Sequence, residues 1–234
     1  MTQIHLIGGE KGGVGKSVVS RLLAQYFIDR GVPFVGFDTD KSHGSLLRFY
    51  SDYASPVVID SYDSLDRIVE TAAQQAGRPV IVDLAAQTHQ FLVQWIEDSG
   101  LLDLKEDLGI SLHYWHVMDA GRDSVDLLRE LLDRFSGRLN LVLVLNEVRG
   151  SGFEILSASG LRERAEALGA RVIRLGRLQD TTMQKIDAHS ASFWAAVNAP
   201  GGGEAGLGLL ERQRVKVWVK RAYQEIGPMT EPAT

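Results

Sequence analysis

Cysteine is absent from the 234 residues. That excludes structural disulfides, cysteine-ligated iron–sulfur clusters and thiol catalysis, and it fits a reducing, cytoplasmic setting. Histidine is sparse. The six are scattered, with no pair at helical spacing beside a carboxylate, so no zinc site is expected. No run of about 18 apolar residues occurs, and no membrane-spanning helix is expected. The chain enters Ile4-His5-Leu6-Ile7 without a basic leader or cleavage site, so no secretory signal is expected. An excess of basic charge is also missing. A formal net charge of −5 argues against a globally basic nucleic-acid coat and leaves only room for a local patch.

What is present suits one large α/β domain: 44% hydrophobic and 24% charged residues on a chain long enough to bury a core. We expect a single domain over residues 1–227, with a glycine-rich loop at 200–208 and a terminal helix at 209–226. Residues 228–234, past Gly227 and rich in proline, are expected to be a disordered tail.

Residues 2–8 are short, apolar and β-prone. After Ser17, Val18, Val19, Leu22, Leu23, Tyr26 and Phe27 recur at helical spacing until Gly31 and Pro33. Phe34-Val35-Gly36-Phe37 reads as a second buried strand, and Val57-Val58-Ile59 as a short one. Helices are expected over 65–76, 90–98, 124–135 and 161–168, and strands over 79–83, 110–118, 139–145 and 171–175. Strands alternating with helices, several of them continuous Val/Ile/Leu runs, predict a mainly parallel twisted sheet with helices on both faces.

The first strand–helix junction carries Gly9-Glu10-Lys11-Gly12-Gly13-Val14-Gly15-Lys16-Ser17. Glycines let backbone N–H groups curl around a phosphoryl group, and the helix start adds a positive dipole end. Lys16 supplies a point charge for β- and γ-phosphates, and the Ser17 hydroxyl can ligate Mg²⁺. Residues Gly12 to Val18 thus form a phosphate-binding P-loop in the context its mechanism requires. Glu10 stands where the plain pattern has its first glycine.

The stretch Lys11-Gly12-Gly13-x-Gly15-Lys16-Ser17 resembles the deviant Walker A motif of the ParA/MinD superfamily of P-loop ATPases. The resemblance implies ATP and Mg²⁺ as ligands and an ATP-dependent homodimer, in which Lys11 reaches the partner's nucleotide like an arginine finger. It implies that Asp40, in Asp38-Thr39-Asp40, orients the attacking water while Asp38 helps hold the magnesium shell. Capping of the following turn is the alternative for these two acids. Asp83, ending Val80-Ile81-Val82, matches a Walker B acid that contacts Mg²⁺. Asn146, at the end of 141–145, matches an adenine-contacting asparagine or is a strand-end turn residue. The GTPase pattern Asn-Lys-x-Asp is absent, since Glu147-Val148-Arg149 follows, which favours ATP. Two departures touch the switches: Lys41-Ser42-His43-Gly44 replaces the usual Pro-Gln-Gly, and Leu84-Ala85-Ala86-Gln87 lacks the usual proline or glycine. Gln87 reads as a surface residue or a positioner of water.

Within the superfamily the chain is most similar to ParA-like ATPases of plasmid mobilisation and transfer. The signs are the Met118-Asp119-Ala120-Gly121 turn and the Arg212-Gln213-Arg214-Val215-Lys216 helix. The implied function is an ATP-hydrolysing switch that positions or partitions a cargo such as a plasmid or supports DNA transfer, with a protein activator or cargo adaptor. Nonspecific DNA is a further candidate partner, and a membrane is not expected. The alternatives are an ATP-dependent carboxylating or amidating synthetase of the same superfamily and a non-hydrolysing nucleotide-binding scaffold.

Three features read as structural. The stripe Val215, Trp218, Val219, Ala222 and Ile226 is expected to dock the last helix on the sheet, against membrane or nucleic-acid contact. His113 and His116 fall on opposite faces of a strand and cannot share an ion. Trp194, beside Phe193, is expected to be a hydrophobic anchor, with partner contact as the alternative.

Overall fold

The computed structural model describes residues 1–9, 11–40, 44–199 and 206–230. The first half runs β1 (Thr2–Gly8), α1 (Lys16–Asp29), β2 (Val35–Asp38), α2 (Ser45–Phe49), β3 (Ala54–Pro56), α3 (Tyr62–Gln74), β4 (Val80–Asp83), α4 (His89–Asp98) and α5 (Leu101–Leu104). The second half runs β5 (Ile110–Met118), α6 (Arg122–Phe135), β6 (Asn140–Asn146), α7 (Glu154–Ser159), α8 (Leu161–Ala167), β7 (Arg171–Leu175), α9 (Asp180–Ala188), α10 (Phe193–Asn198) and α11 (Leu209–Thr230). The seven strands form one sheet in the order β3-β2-β4-β1-β5-β6-β7. Every pairing is parallel.

The sheet divides the core in two, and the period of 2 along each strand decides which side a residue serves. Ile4, Leu6, Val80, Val82, Leu143 and Leu145 face one layer with α3, α4 and α6. Ile7, Ile81, Val142 and Val144 face the other, with α1, α10 and α11. Both faces are covered, which is why the strand sequences are apolar without alternation. β1 lies between β4 and β5, where crossovers leave in opposite directions, so a crevice opens at its carboxyl end.

Two expectations are corrected here. The third strand is Ala54–Pro56 and not 57–59, because the ladder is limited by its short partner: Gly36, Phe37 and Asp38 register with Ala54, Ser55 and Pro56. Val57 still donates its N–H to the Asp38 carbonyl at 2.9 Å and buries its side chain, which accounts for its apolar character outside a strand. The last helix does not stop at 226. It continues through Pro228 to Thr230 because Ile226 and Met229 are buried against the α1 layer. Gly227 permits this approach, since a Cβ there would lie 3.2 Å from the Tyr26 hydroxyl oxygen. Most of the expected glycine-rich loop (200–205) and of the expected tail (231–234) lies outside the described residues.

The docked stripe holds: Val215, Trp218, Val219, Ala222 and Ile226 are all buried. So does the separation of the histidines. The His113 ring lies 5.3 Å from that of His5, while His116 bonds the Ser124 carbonyl on α6. Trp194 departs from expectation. Phe193 is the buried anchor, edge-on to Trp218 at 5.3 Å, and Trp194 is 57% exposed.

Candidate functional site

The P-loop bridges β1 and α1 and is shaped by contacts that only glycine allows. Gly15 has φ +99°, and a Cβ on it would sit 2.1 Å from the Asn146 amide nitrogen. At Gly9 a Cβ would meet the Val117 carbonyl of β5 at 2.5 Å. Gly12 is different, because a Cβ there would meet no atom of the described residues within 4 Å. The open space beside it is where a phosphate cradle needs room. Gly13, at φ +79°, completes the turn, and Val14 is buried beneath it. Val18 and Val19 both donate backbone N–H groups to the Gly15 carbonyl, at 3.1 Å each, starting α1 at the loop. Glu10 lies outside the described residues.

The two lysines take opposite courses. Lys16 is buried, and its ammonium donates to the Lys11 carbonyl at 3.0 Å, curled over the loop. Lys11 turns outward to Asp123, in the first turn of α6, at 3.6 Å. Asp123 was not singled out from the sequence, because a helix-start acid has a sufficient local reason in the dipole.

The acids gather at the carboxyl ends of β2 and β4, which register Asp38 directly against Asp83. Asp83 is buried, its Oδ1 has no hydrogen-bond partner among the described residues, and its pKa is pushed up to about 7. Burial is the main cause and the Asp38 charge adds to it, while Ser20, Ser17 and Lys16 pull the other way. Asp38 is also raised, again chiefly by burial. Its carboxylate accepts the N–H groups of Asp40 and Leu47 at 3.0 Å each, so it holds the turn leading into α2. This realises the capping alternative, alongside its nearness to Asp83. Asp40 is half-buried at the mouth of that turn. Residues 41–43, which stand in place of the expected Pro-Gln-Gly, lie outside the described residues.

An unpartnered buried carboxylate oxygen beside a serine hydroxyl and a second carboxylate suits a hard divalent cation, which favours oxygen donors. Among the described residues no three His, Cys, Asp or Glu side chains cluster to hold a metal alone. Ser17 and Asp83 thus offer oxygen donors of the kind Mg²⁺ takes.

Thr39 links the segments that follow β2 and β4. Its hydroxyl donates to the Asp83 carbonyl at 3.1 Å and accepts from the Ala85 N–H at 2.8 Å. The central position of Asp-x-Asp has no pattern that reveals this role. Gln87 is exposed with φ +61°, a left-handed conformation that non-glycine residues seldom adopt. The β5 end closes the site, as Asp119 Oδ1 accepts from Gly121 N and Ser124 Oγ at 3.0 Å each and so opens α6. Asn146 donates its amide N–H to the Val14 carbonyl at 2.7 Å and thereby braces the loop.

A strand-end P-loop with a buried lysine, a serine and an acid on the adjacent strand matches known proteins. A model of the CobQ/CobB/MinD/ParA nucleotide binding domain covers residues 6–182. The chain belongs to this family. As a CobQ/CobB/MinD/ParA domain it is a nucleotide-binding protein, and the match spans every P-loop and strand-end residue described above. It is similar to Protein MobD of Acidithiobacillus ferrooxidans, 28% identical over 221 residues that cover 92% of this chain and 95% of MobD. It is also similar to Protein TraL of Escherichia coli, 26% identical over 245 aligned positions covering 97% and 98% of the two chains. The MinD cell division protein of Aquifex aeolicus shares the fold, with a TM-score of 0.51 over all of both chains at 12% identity. Among the described residues no helix is long and apolar enough to cross a membrane.

Proposed function

We propose that this member of the family is an ATP-hydrolysing dimerisation switch that serves plasmid mobilisation or transfer, positioning a cargo or supporting DNA transfer. The observation that carries the reading is the divergence of the two lysines: Lys16 is buried over its own loop, while Lys11 is directed out of it. A lysine that leaves its own cradle is available to a nucleotide bound by a second copy. The similarity to MobD and TraL over nearly whole chains supports the mobilisation and transfer branch.

In this reading the N–H groups of residues 12–18 and the start of α1 bind the phosphates. Lys16 exchanges its bond to the Lys11 carbonyl for β- and γ-phosphate oxygens. Ser17 and Asp83 would hold Mg²⁺, directly or through water, with Asp38 shaping the surrounding turn. The ion would supply positive charge against the phosphate oxygens. Asp40 orients the attacking water, and Lys11 of the second copy faces the charge that develops in phosphoryl transfer. Thr39 transmits the arrangement at Asp83 to both switch segments. Asn146, which bonds the Val14 carbonyl, is the residue assigned to adenine contact in this reading.

The test is oligomeric state by light scattering with ADP, ATP and a non-hydrolysable ATP analogue. A dimer with either triphosphate only, lost in Lys11→Ala, supports the switch. A monomer under every condition, or dimerisation and hydrolysis unchanged in Lys11→Ala, overturns it.

A further inference from the structure

Away from the nucleotide site, α10 and α11 meet α1 in an open groove of about 330 Å³. Phe193, Val197, Val219 and Tyr223 line it, with Trp194 on its wall. Two neighbouring aromatic residues have been divided here. Phe193 serves the core, while the adjacent indole is left in solvent. An exposed tryptophan beside a concave apolar surface is the composition of an interface anchor site.

The rim is positive. Lys216 and Lys220, one helical turn apart on α11, both border the groove, and neither has an ion-pair or hydrogen-bond partner among the described residues. Among the described residues that line the groove the acid is Asp29, and it is already engaged: it accepts from Gln25 Nε2 and from the Tyr223 hydroxyl, at 2.8 Å each.

The groove is also wired to the first switch. The Trp194 N–H donates to Gln25 Oε1 at 3.0 Å, and the same oxygen accepts from the Tyr50 hydroxyl at 3.1 Å. Tyr50 directly follows α2, the helix whose Leu47 N–H binds Asp38. A ligand that moves α10 therefore acts on residues in contact with the switch.

We propose that this groove docks an acidic amphipathic segment of a partner protein. One large apolar side chain of that segment seats against Trp194, and its flanking carboxylates pair with Lys216 and Lys220. Two lysines around an apolar slot suit a peptide better than a nucleic-acid backbone, which calls for a longer track of cations. That such a partner regulates hydrolysis rests on the switch reading; the docking itself does not.

The test is selection of displayed random peptides on the full chain with Mg-ATP, followed by binding measurements on the synthesised winner. Enriched sequences should place Leu, Phe or Trp among Asp and Glu. Trp194→Ala should weaken binding about tenfold or more, the effect of removing a central anchor. The Lys216→Glu/Lys220→Glu double variant should weaken it similarly at low salt, and replacing the peptide's acids with lysines should restore binding to that variant. Both variants alter exposed side chains, and each should keep the parent's melting transition and nucleotide-dependent oligomeric state. The proposal is overturned by no enrichment, by winners that bind Trp194→Ala as tightly as the parent, or by an oligonucleotide being the only probe these variants lose. If the parent chain fails to dimerise with ATP, the switch reading falls while peptide binding still decides this one.

Discussion

The Asn146 amide nitrogen donates to the Val14 carbonyl at 2.7 Å, pinning the end of β6 to the P-loop 132 residues earlier in the chain. The same nitrogen occupies the space that a side chain at Gly15 would need. Gly15→Ala should therefore suffer twice, from its positive φ and from the clash, with a loss of about 1–3 kcal/mol or more in chemical denaturation. Adding Asn146→Ala should recover part of that loss by removing the clash, but not the strain. Full additivity of the two changes would show that the contact is unimportant.

Asp83 makes the nucleotide-free protein sensitive to pH. Burial raises its pKa from the ordinary carboxylate value of 3.8 to about 7, so the folded state binds the proton more tightly than the unfolded state. Stability should then fall as pH rises from about 4 to 7. Asp83→Asn should flatten this part of a melting-temperature profile while abolishing magnesium-dependent turnover. Binding of Mg²⁺ with nucleotide should strengthen as pH rises toward 8, because the carboxyl must lose its proton. An unchanged slope in Asp83→Asn would place the titrating group elsewhere.

The buried histidines work in the other direction. His113 and His116 are each depressed to about 4, mainly by burial, and His116 in its neutral form donates from Nε2 to the Ser124 carbonyl. Their contribution is present above about 6.5, the ordinary histidine value, and is lost as pH falls toward 4. The full profile should therefore show an acid-side decline superimposed on the opposite Asp83 slope. Histidine titration by NMR should find both sites neutral at pH 6.

Arg21 is buried within α1, stacked 3.5 Å from the Phe49 ring centroid, and bonded to Asp187 at 2.7 Å. Two of its nitrogens have no hydrogen-bond partner among the described residues. Asp187→Ala should cost about 1–3 kcal/mol, because it strands a buried cation, whereas Arg21→Met should cost less or be neutral. Equal losses in urea denaturation would contradict this asymmetry.

The Lys11–Asp123 pair is solvent-exposed at both ends and should add little stability. Asp123→Asn should leave the melting temperature nearly unchanged. If Asp123 holds Lys11 back from a second copy, that variant should dimerise at lower ATP concentration. A large drop in melting temperature with no change in dimerisation would make the contact merely structural.

The α/β alternation, the parallel sheet, the P-loop and the acid at the end of β4 are legible in the order of residues alone. Each is encoded locally, by hydrophobic period, glycine spacing or a residue at a strand end, and local encoding needs no knowledge of what lies across the fold. The remaining features depend on contacts made across the fold. The strand at 54–56 depended on the length of its partner β2, and the continuation of α11 past Pro228 depended on burial against α1. Trp194 and Phe193 look alike as neighbours, and which one met the core was set by the angle at which α10 lies on α1 and α11. Thr39, Asp123 and Asn146 acquire their roles from residues 44, 112 and 132 positions away, as seen in the Thr39–Asp83, Lys11–Asp123 and Asn146–Val14 contacts. Such pairings carry no periodicity, because they arise where different crossovers bring strand ends to one rim of the sheet.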